Sequence, residues 1–234
     1  MKLISDKEAW EGEADCMSCP LRNSVLFAGL DKDDFDKIHK PIDLYTLPTG
    51  STLYRAGDKG DHLFTICSGV LKLVQYLPDG TQRIVRLVRS TDVTGLETML
   101  GQNYQHDAVV LQPTQACGLP VSVVQALSQS SPKLHKELLS RWQKALEEAD
   151  AWLTELSTGS AKQRVARLLL RLVRNKEASE CELFSREDMG AMLGVTTETA
   201  SRTIAEFKRQ SLLIETSPNH FLLDIRNLGH IAED

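Results

Sequence analysis

The sequence predicts an α+β chain in three parts: an antiparallel β barrel or sandwich, one long helix, and a helix-turn-helix closed by a β-hairpin. Three observations carry this. Short β-rich runs recur between glycines from about residue 42 to 124. A heptad of apolar residues runs through the segment from Pro132 to Leu156. Phe184 to Phe207 then reads as a helix, a glycine turn and a second helix with one apolar and one hydrogen-bonding face, and a hairpin follows at once.

Bulk properties set the frame. The 234 residues allow two compact domains, and 41% hydrophobic with 25% charged is ordinary for a globular protein. No stretch of eighteen apolar residues exists, so no membrane span is expected. Met1-Lys2-Leu3-Ile4-Ser5-Asp6-Lys7-Glu8 has no apolar core, so no secretion signal is expected. The five cysteines form no dense framework, and reduced thiols in the cytoplasm are the expectation. Net charge is −5. Residues 158–234 hold eleven basic and eleven acidic residues, so the acidic excess lies earlier in the chain. Bulk charge therefore does not indicate nucleic acid. A neutral module still can bind it if its cations share one side, because phosphate contacts are local.

In chain order, residues 1–20 read as an arm carrying Cys16-Met17-Ser18-Cys19-Pro20. A sensor-type β domain is assigned to 21–130. It opens with a short helix over 31–40, Asp31 as N-cap and acids in the first turn. Its strands are read at Ser51–Tyr54, Leu63–Cys67, Val70–Tyr76 and Gln82–Leu87. Gly50, Gly57, Gly69, Gly80 and Gly95 mark turns, and Asp79-Gly80 signals a two-residue hairpin loop.

The long helix is assigned to 131–157. Leu138, Trp142, Ala145, Ala149, Trp152 and Leu156 are spaced 4, 3, 4, 3, 4, the seam of a coiled coil. These six are the expected dimer contacts. Leu139, Leu146 and Leu153 make a second stripe. Two stripes suit two partners: a twin helix in a parallel homodimer, and the helix's own barrel.

Residues 158–234 make the last domain. Ser160 caps a helix over 161–174 with Val165, Leu168, Leu169, Leu172 and Val173 inward, and its cations are expected to face solvent. Ser185 with Asp188 is a loose capping box for the next helix. Gly194 permits the left-handed turn, and Thr196 or Thr197 caps the second helix. On that helix Ala200, Ile204 and Phe207 face inward. Glu198, Ser201, Arg202 and Ala205 face outward in its first turns, the part that enters a major groove in helix-turn-helix proteins. Arginine donates two hydrogen bonds to guanine, glutamate accepts from cytosine, and serine serves several bases. Lys208 and Arg209 stand near the helix end, placed for phosphate. Ser211–Thr216, the turn Ser217-Pro218-Asn219, and His220–Leu223 complete a winged helix. The expected DNA-contacting set is Thr196, Thr197, Glu198, Ser201, Arg202, Lys208 and Arg209.

The ensemble resembles the CRP/FNR family of bacterial transcription regulators over nearly the full chain. Gly50-Ser51-Thr52-Leu53-Tyr54-Arg55-Ala56-Gly57-Asp58 and Leu63-Phe64-Thr65-Ile66-Cys67-Ser68-Gly69 look like its β-roll segments. The resemblance implies an N-terminal antiparallel β-roll of the cyclic-nucleotide-binding type, a dimerisation helix and a C-terminal winged helix. It also implies homodimers that bind palindromic double-stranded DNA and contact RNA polymerase. Thr197-Glu198-Thr199-Ala200-Ser201-Arg202 looks like the FNR branch, which implies a TTGAT half-site and a TTGAT-N4-ATCAA palindrome.

The resemblance also frames the signal. Relatives that bind cAMP carry a Gly-Glu and then an Arg-Ser pair. Here Gly95-Leu96-Glu97 is displaced and His106-Asp107 stands in place of Arg-Ser, so no cAMP binding is expected. Oxygen-sensing relatives hold an iron–sulfur cluster on four cysteines. Cys16, Cys19 and Cys117 match three of them, and the fourth falls at Val25. An iron–sulfur cluster, thiol redox chemistry and remnant thiols without metal all stay open. Haem does too, with His39, His62, His106, His135, His220 and His230 as nitrogen donors in no motif. No dedicated metal site is assigned. Cys67 reads as core. Cys181 lies in an acidic linker, Glu177-Ala178-Ser179-Glu180-Cys181-Glu182, whose carboxylates should raise its pKa. A barrel enzyme would need clustered histidines, which the sequence lacks, and no catalytic residues are assigned.

Overall fold

The computed structural model describes residues 9–14, 19, 21, 26, 30, 34, 41–173 and 179–233. Cys16, Val25, His39, most of the expected helix over 31–40 and the start of the acidic linker lie outside them. Asp34 alone is described in that first helix, and it is helical. The chain divides into two compact units: residues 1–75 with 85–147, and residues 76–84 with 148–234.

The first unit is built on an antiparallel sheet. Its strands are β1 (Trp10–Glu13), β2 (Asp43–Leu47), β3 (Thr52–Tyr54), β4 (His62–Tyr76), β5 (Gln82–Arg89), β6 (Val93–Thr94) and β7 (Asp107–Pro120). The order is β1-β2-β7-β4-β5, with β3 also paired to β7 and β6 to β4. The strands expected at 63–67 and 70–76 are one long strand. Gly69 at φ 86° and register shifts between Ile66 and Leu71 let it bend without breaking. The link from β4 to β5 spans 77–81 rather than two residues. Leu77 N–H donates to Thr81 O (2.9 Å), and Asp79 Oδ1 accepts from Thr81 N–H (2.8 Å).

Alternation along β4 sorts two cores. Phe64, Ile66, Leu71 and Leu73 join Tyr54, Tyr104, Val110 and Ala116 inside the roll. Leu63 faces the other way, into a cluster with Leu119, Val123, Leu127, Leu134 and Leu138. That second cluster is roofed by α1 (Val121–Ser130) and the start of α2 (Pro132–Ala151). A single π-helical turn, Trp152–Leu156, continues α2.

The second unit holds α3 (Ala161–Leu172), β8 (Glu180–Glu182), α4 (Arg186–Leu193), α5 (Thr197–Arg209), β9 (Leu213–Ser217), β10 (His220–Leu223) and α6 (Ile225–Glu233). Ser160 caps α3 in a full capping box with Gln163, as expected. The hairpin β9–β10 is present, and β8 adds a third strand to it in the order β8-β10-β9. Glu180–Glu182 of the acidic linker is thus a strand. Cys181 is buried between its two glutamates, and burial, not their charge, pushes its thiol up to about 11.

The α3 cations are structural rather than solvated. Arg164 Nη1 donates to Leu193 O (2.6 Å) at the end of α4. Arg167 donates to Ala232 O, Glu155 O and Thr158 O. Arg171 pairs with Glu155 (2.6 Å), and Lys162 with Glu206 (2.6 Å). Carbonyls at helix ends lack partners within their own helix, and these guanidiniums supply them.

Candidate nucleic-acid interface

Two helices and their corner build the interface. Ser185 accepts from Asp188 N–H (3.0 Å) and starts α4. Met189, Met192 and Leu193 are fully buried beneath it. Gly194 sits at φ 63°, ψ 40°, the left-handed cap that a side chain with Cβ resists. Val195 N–H donates to Gly190 O (3.1 Å) and closes the corner. Thr196, not Thr197, caps α5, accepting from Thr199 N–H (3.1 Å). Each cap is worth about 1 kcal/mol, so the start of α5 is held firmly.

Burial fixes which face of α5 is presented. Ala200, Thr203, Ile204 and Phe207 are buried. Glu198, Arg202 and Ala205 are exposed, and Ser201 is half-buried. Arg202 Nη2 donates to Glu198 Oε1, one turn away, with about three-quarters of each side chain in solvent (78% and 70%). An exposed pair of this kind contributes about 0.3–0.5 kcal/mol, so it orients both groups outward yet yields easily. The strip is preformed, polar and accessible.

The two cations expected to grip phosphate differ in their surroundings. Lys208 Nζ pairs with Glu215 on β9 (2.6 Å) and lies 4.7 Å over the Phe221 ring. Its charge ties α5 to the wing, leaving Arg209 as the exposed cation of the two without such a partner on the wing. The expected dimer set divides by burial. Leu138 belongs to the cluster under α2, with Trp142 packed against it, and Leu156 is fully buried. Those positions face the chain's own core. Ala145 and Trp152 are half-buried and Ala149 is exposed. The second stripe is the open one: Leu139, Leu146 and Leu153 are 55%, 57% and 64% exposed.

Residues 45–131 match the model of the cyclic nucleotide-binding domain, and residues 163–231 match that of the Crp-like helix-turn-helix domain. The chain is 26% identical to the transcriptional activator protein Anr of Pseudomonas aeruginosa, covering 94% of this chain and 93% of that protein. It is 27% identical to FnrA of Stutzerimonas stutzeri over the same shares. The chain belongs to the CRP/FNR family of transcription regulators. Its fold is that of FixK2 from Bradyrhizobium japonicum, with a TM-score of 0.74 at 22% identity over 81% of this chain and 96% of that one.

Within a CRP/FNR frame the signal region can be read residue by residue. Asp107 Oδ1 accepts from Ala56 N–H (2.8 Å), and Glu97 Oε1 accepts from Gln105 N–H (3.2 Å). The two acids that an effector would meet are engaged with backbone. Tyr54 stacks on Tyr104 (ring centroids 3.9 Å apart), and Tyr104 Oη donates to His62 O (2.8 Å). Burial pushes the hydroxyls of both tyrosines well above their usual range. His106, which stands beside Asp107 in place of the Arg-Ser pair, is held below its ordinary pKa by burial and by Arg86.

Among the described residues the cysteines do not gather as a four-thiolate set. Val25 offers no ligand, Cys16 lies outside the described residues, and Cys19 is half-buried. Cys117 Sγ lies 3.4 Å from Cys67 Sγ, a partner the sequence reading left in the core. Among the described residues no three His, Cys, Asp or Glu side chains gather as a metal site. Of the histidines, His62 Nδ1 pairs with Asp61 (2.7 Å). The described helices include none long and apolar enough to cross a membrane.

Proposed function

We propose that this CRP/FNR regulator works as a homodimer that reads a TTGAT-N4-ATCAA-like palindrome. The single observation that carries the reading is the preformed Glu198–Ser201–Arg202 strip, exposed on the first turns of α5 and opposite its buried face. Arg202 supplies the guanine contact, Glu198 accepts from cytosine, and Ser201 adjusts between them. Thr196 and Thr197 lie at the helix start beside the backbone, and Arg209 meets phosphate.

Dimerisation proceeds through the Leu139, Leu146 and Leu153 stripe of α2, whose seven-residue spacing matches a twin helix. The protein acts in the cytoplasm, contacts RNA polymerase as its family does, and answers an oxygen, redox or nitrogen-oxide signal without cAMP. The test is a gel-shift titration of the dimer on the palindrome and on a scrambled duplex. Binding at least about a thousandfold tighter to the palindrome supports the reading. Equal binding of both duplexes removes it.

A further inference from the structure

We infer that Cys67 and Cys117 form a cross-strand dithiol, a site that a hydroperoxide oxidises to an intramolecular disulfide. The observation is geometric. Cys117 on β7 pairs in register with Thr65 on β4. Cys67, two residues on, shares that side of the sheet with Thr65 and Leu63, and it is the residue skipped where the register shifts between Ile66 and Ser68. A bulge re-aims the side chain it carries, and here the two sulfurs come to 3.4 Å. Bond formation needs a further approach to about 2.05 Å, a small movement at a strand that is already bent.

The chemistry of the pair is asymmetric. The two thiols share a hydrogen bond, and Cys67 alone stands at the bulge that aims its sulfur at Cys117, the partner held in regular register. Cys67 is thus the nucleophile and Cys117 the resolving thiol. Both are half-buried, so a small peroxide reaches them. The Cys67 thiolate attacks the terminal oxygen of the hydroperoxide; an S–O bond forms, the O–O bond breaks, and the alkoxide leaves as an alcohol after taking a proton. The Cys117 sulfur then attacks the Cys67 sulfur of the sulfenic acid. An S–S bond forms, the S–O bond breaks, and hydroxide leaves as water with the Cys117 proton. Two electrons pass from sulfur to peroxide.

The site is also wired to the helix that carries the open leucine stripe. Cys67 O accepts from Ser90 Oγ (2.8 Å), and Ile66 O accepts from Thr91 N–H (2.8 Å). Thr91 stands at φ 74°, and its carbonyl accepts from Arg141 Nη1 (2.9 Å) on α2. Asp92 of the same turn pairs with Lys144, also on α2. Cys117 itself packs against the cluster that includes Leu138 and Trp142. A shift at Cys67 therefore acts on a turn gripped by two α2 cations.

The test uses the full chain, reduced and then treated with hydrogen peroxide. Peptide mapping under non-reducing conditions should find a Cys67–Cys117 disulfide within one chain, the intact mass falling by two hydrogen atoms. In Cys117→Ser, dimedone should trap a sulfenic acid on Cys67. That reaction should outpace labelling of Cys181, a buried thiol held at about 11, by at least about a hundredfold. A Cys16–Cys19 disulfide as the sole product, a bond between two chains, or Cys67 no faster than Cys181 overturns the proposal. The readout is mass, so it stands or falls independently of DNA recognition.

Discussion

Arg202 is where residue chemistry and function meet. Its guanidinium is more than three-quarters exposed and leans on Glu198. Releasing that contact costs a few tenths of a kcal/mol, whereas a bidentate guanine contact is worth about 1–3 kcal/mol. Arg202→Ala should therefore weaken palindrome binding by that amount, roughly 5- to 150-fold, and lower discrimination at the G·C pair; unchanged affinity in a titration against wild type removes the assignment. His106 makes a second residue-scale prediction. Burial first, then Arg86, hold its imidazole below 6.5, while Glu97 and Asp107 pull the other way. The unfolded chain takes up this proton before the folded one does. The His106 contribution is whole above about pH 6.5 and shrinks as the pH falls toward the depressed value. Urea midpoints measured from about pH 7.5 to about 5.5 should fall less steeply for His106→Gln than for wild type; parallel curves would exclude the effect. Some of this scale was legible in the sequence. The faces of α5 follow from its 3.6-residue period, which sorts Ala200, Ile204 and Phe207 from Glu198 and Arg202. The engagement of Arg164, Arg167 and Lys208 was not legible, because no pattern along the chain says which carbonyl or carboxylate arrives from elsewhere. Cys67 was hidden for the same reason: a bulge, set by pairing with β7, decides where its sulfur points.

At the scale of elements the same substitution should have opposite signs at two glycines. A Cβ on Gly190 would meet Val195 O at 2.7 Å, and that atom is backbone of the corner between α4 and α5. Gly190→Ala should destabilise the domain by about 1–3 kcal/mol, because the corner must open to admit the methyl. Gly229 lies in α6 with open space around its Cβ position. Gly229→Ala should stabilise by about 0.5–1 kcal/mol. Denaturant melts of both variants check the pair, and a neutral Gly190→Ala would mean that the corner is looser than its hydrogen bond implies. The helix-turn-helix was readable because its caps and its left-handed glycine are local chemistry. The two stripes of α2 were readable as well, but not their assignment. Both repeat every seven residues, and only the docking of α2 on Leu63, Leu119 and Leu127 decides that Leu138 points home. The strand β8 escaped notice because Glu180-Cys181-Glu182 is too short to show alternation, and its hydrogen-bonding partner, β10, lies forty residues on.

At the scale of the whole molecule, the proposed homodimer would gain its specificity from being double. In that proposal one α5 would meet one half-site, from a C-terminal region in which positive and negative residues balance, and the chain as a whole carries −5. Affinity for a single half-site is then modest, because the bulk field does not help. The proposed two-fold pair would have to present two such helices about 34 Å apart, one turn of the duplex. Once the first is seated, the second binds from an effective concentration in the millimolar range, which raises affinity by about 10²–10⁴-fold with no new kind of contact. This gain depends on the stripe of Leu139, Leu146 and Leu153, which the chain leaves more than half exposed. Leu146→Glu puts a charge at the middle of that seam and touches neither the core beneath α2 nor α5. Sedimentation should find the wild type dimeric and Leu146→Glu monomeric at micromolar concentration, with melting unchanged within a few degrees. In anisotropy titrations the wild type should prefer the palindrome to a lone half-site by the factor above, and the variant should bind both alike. A monomeric variant that keeps the full preference would show that the two reading heads are joined by some other surface.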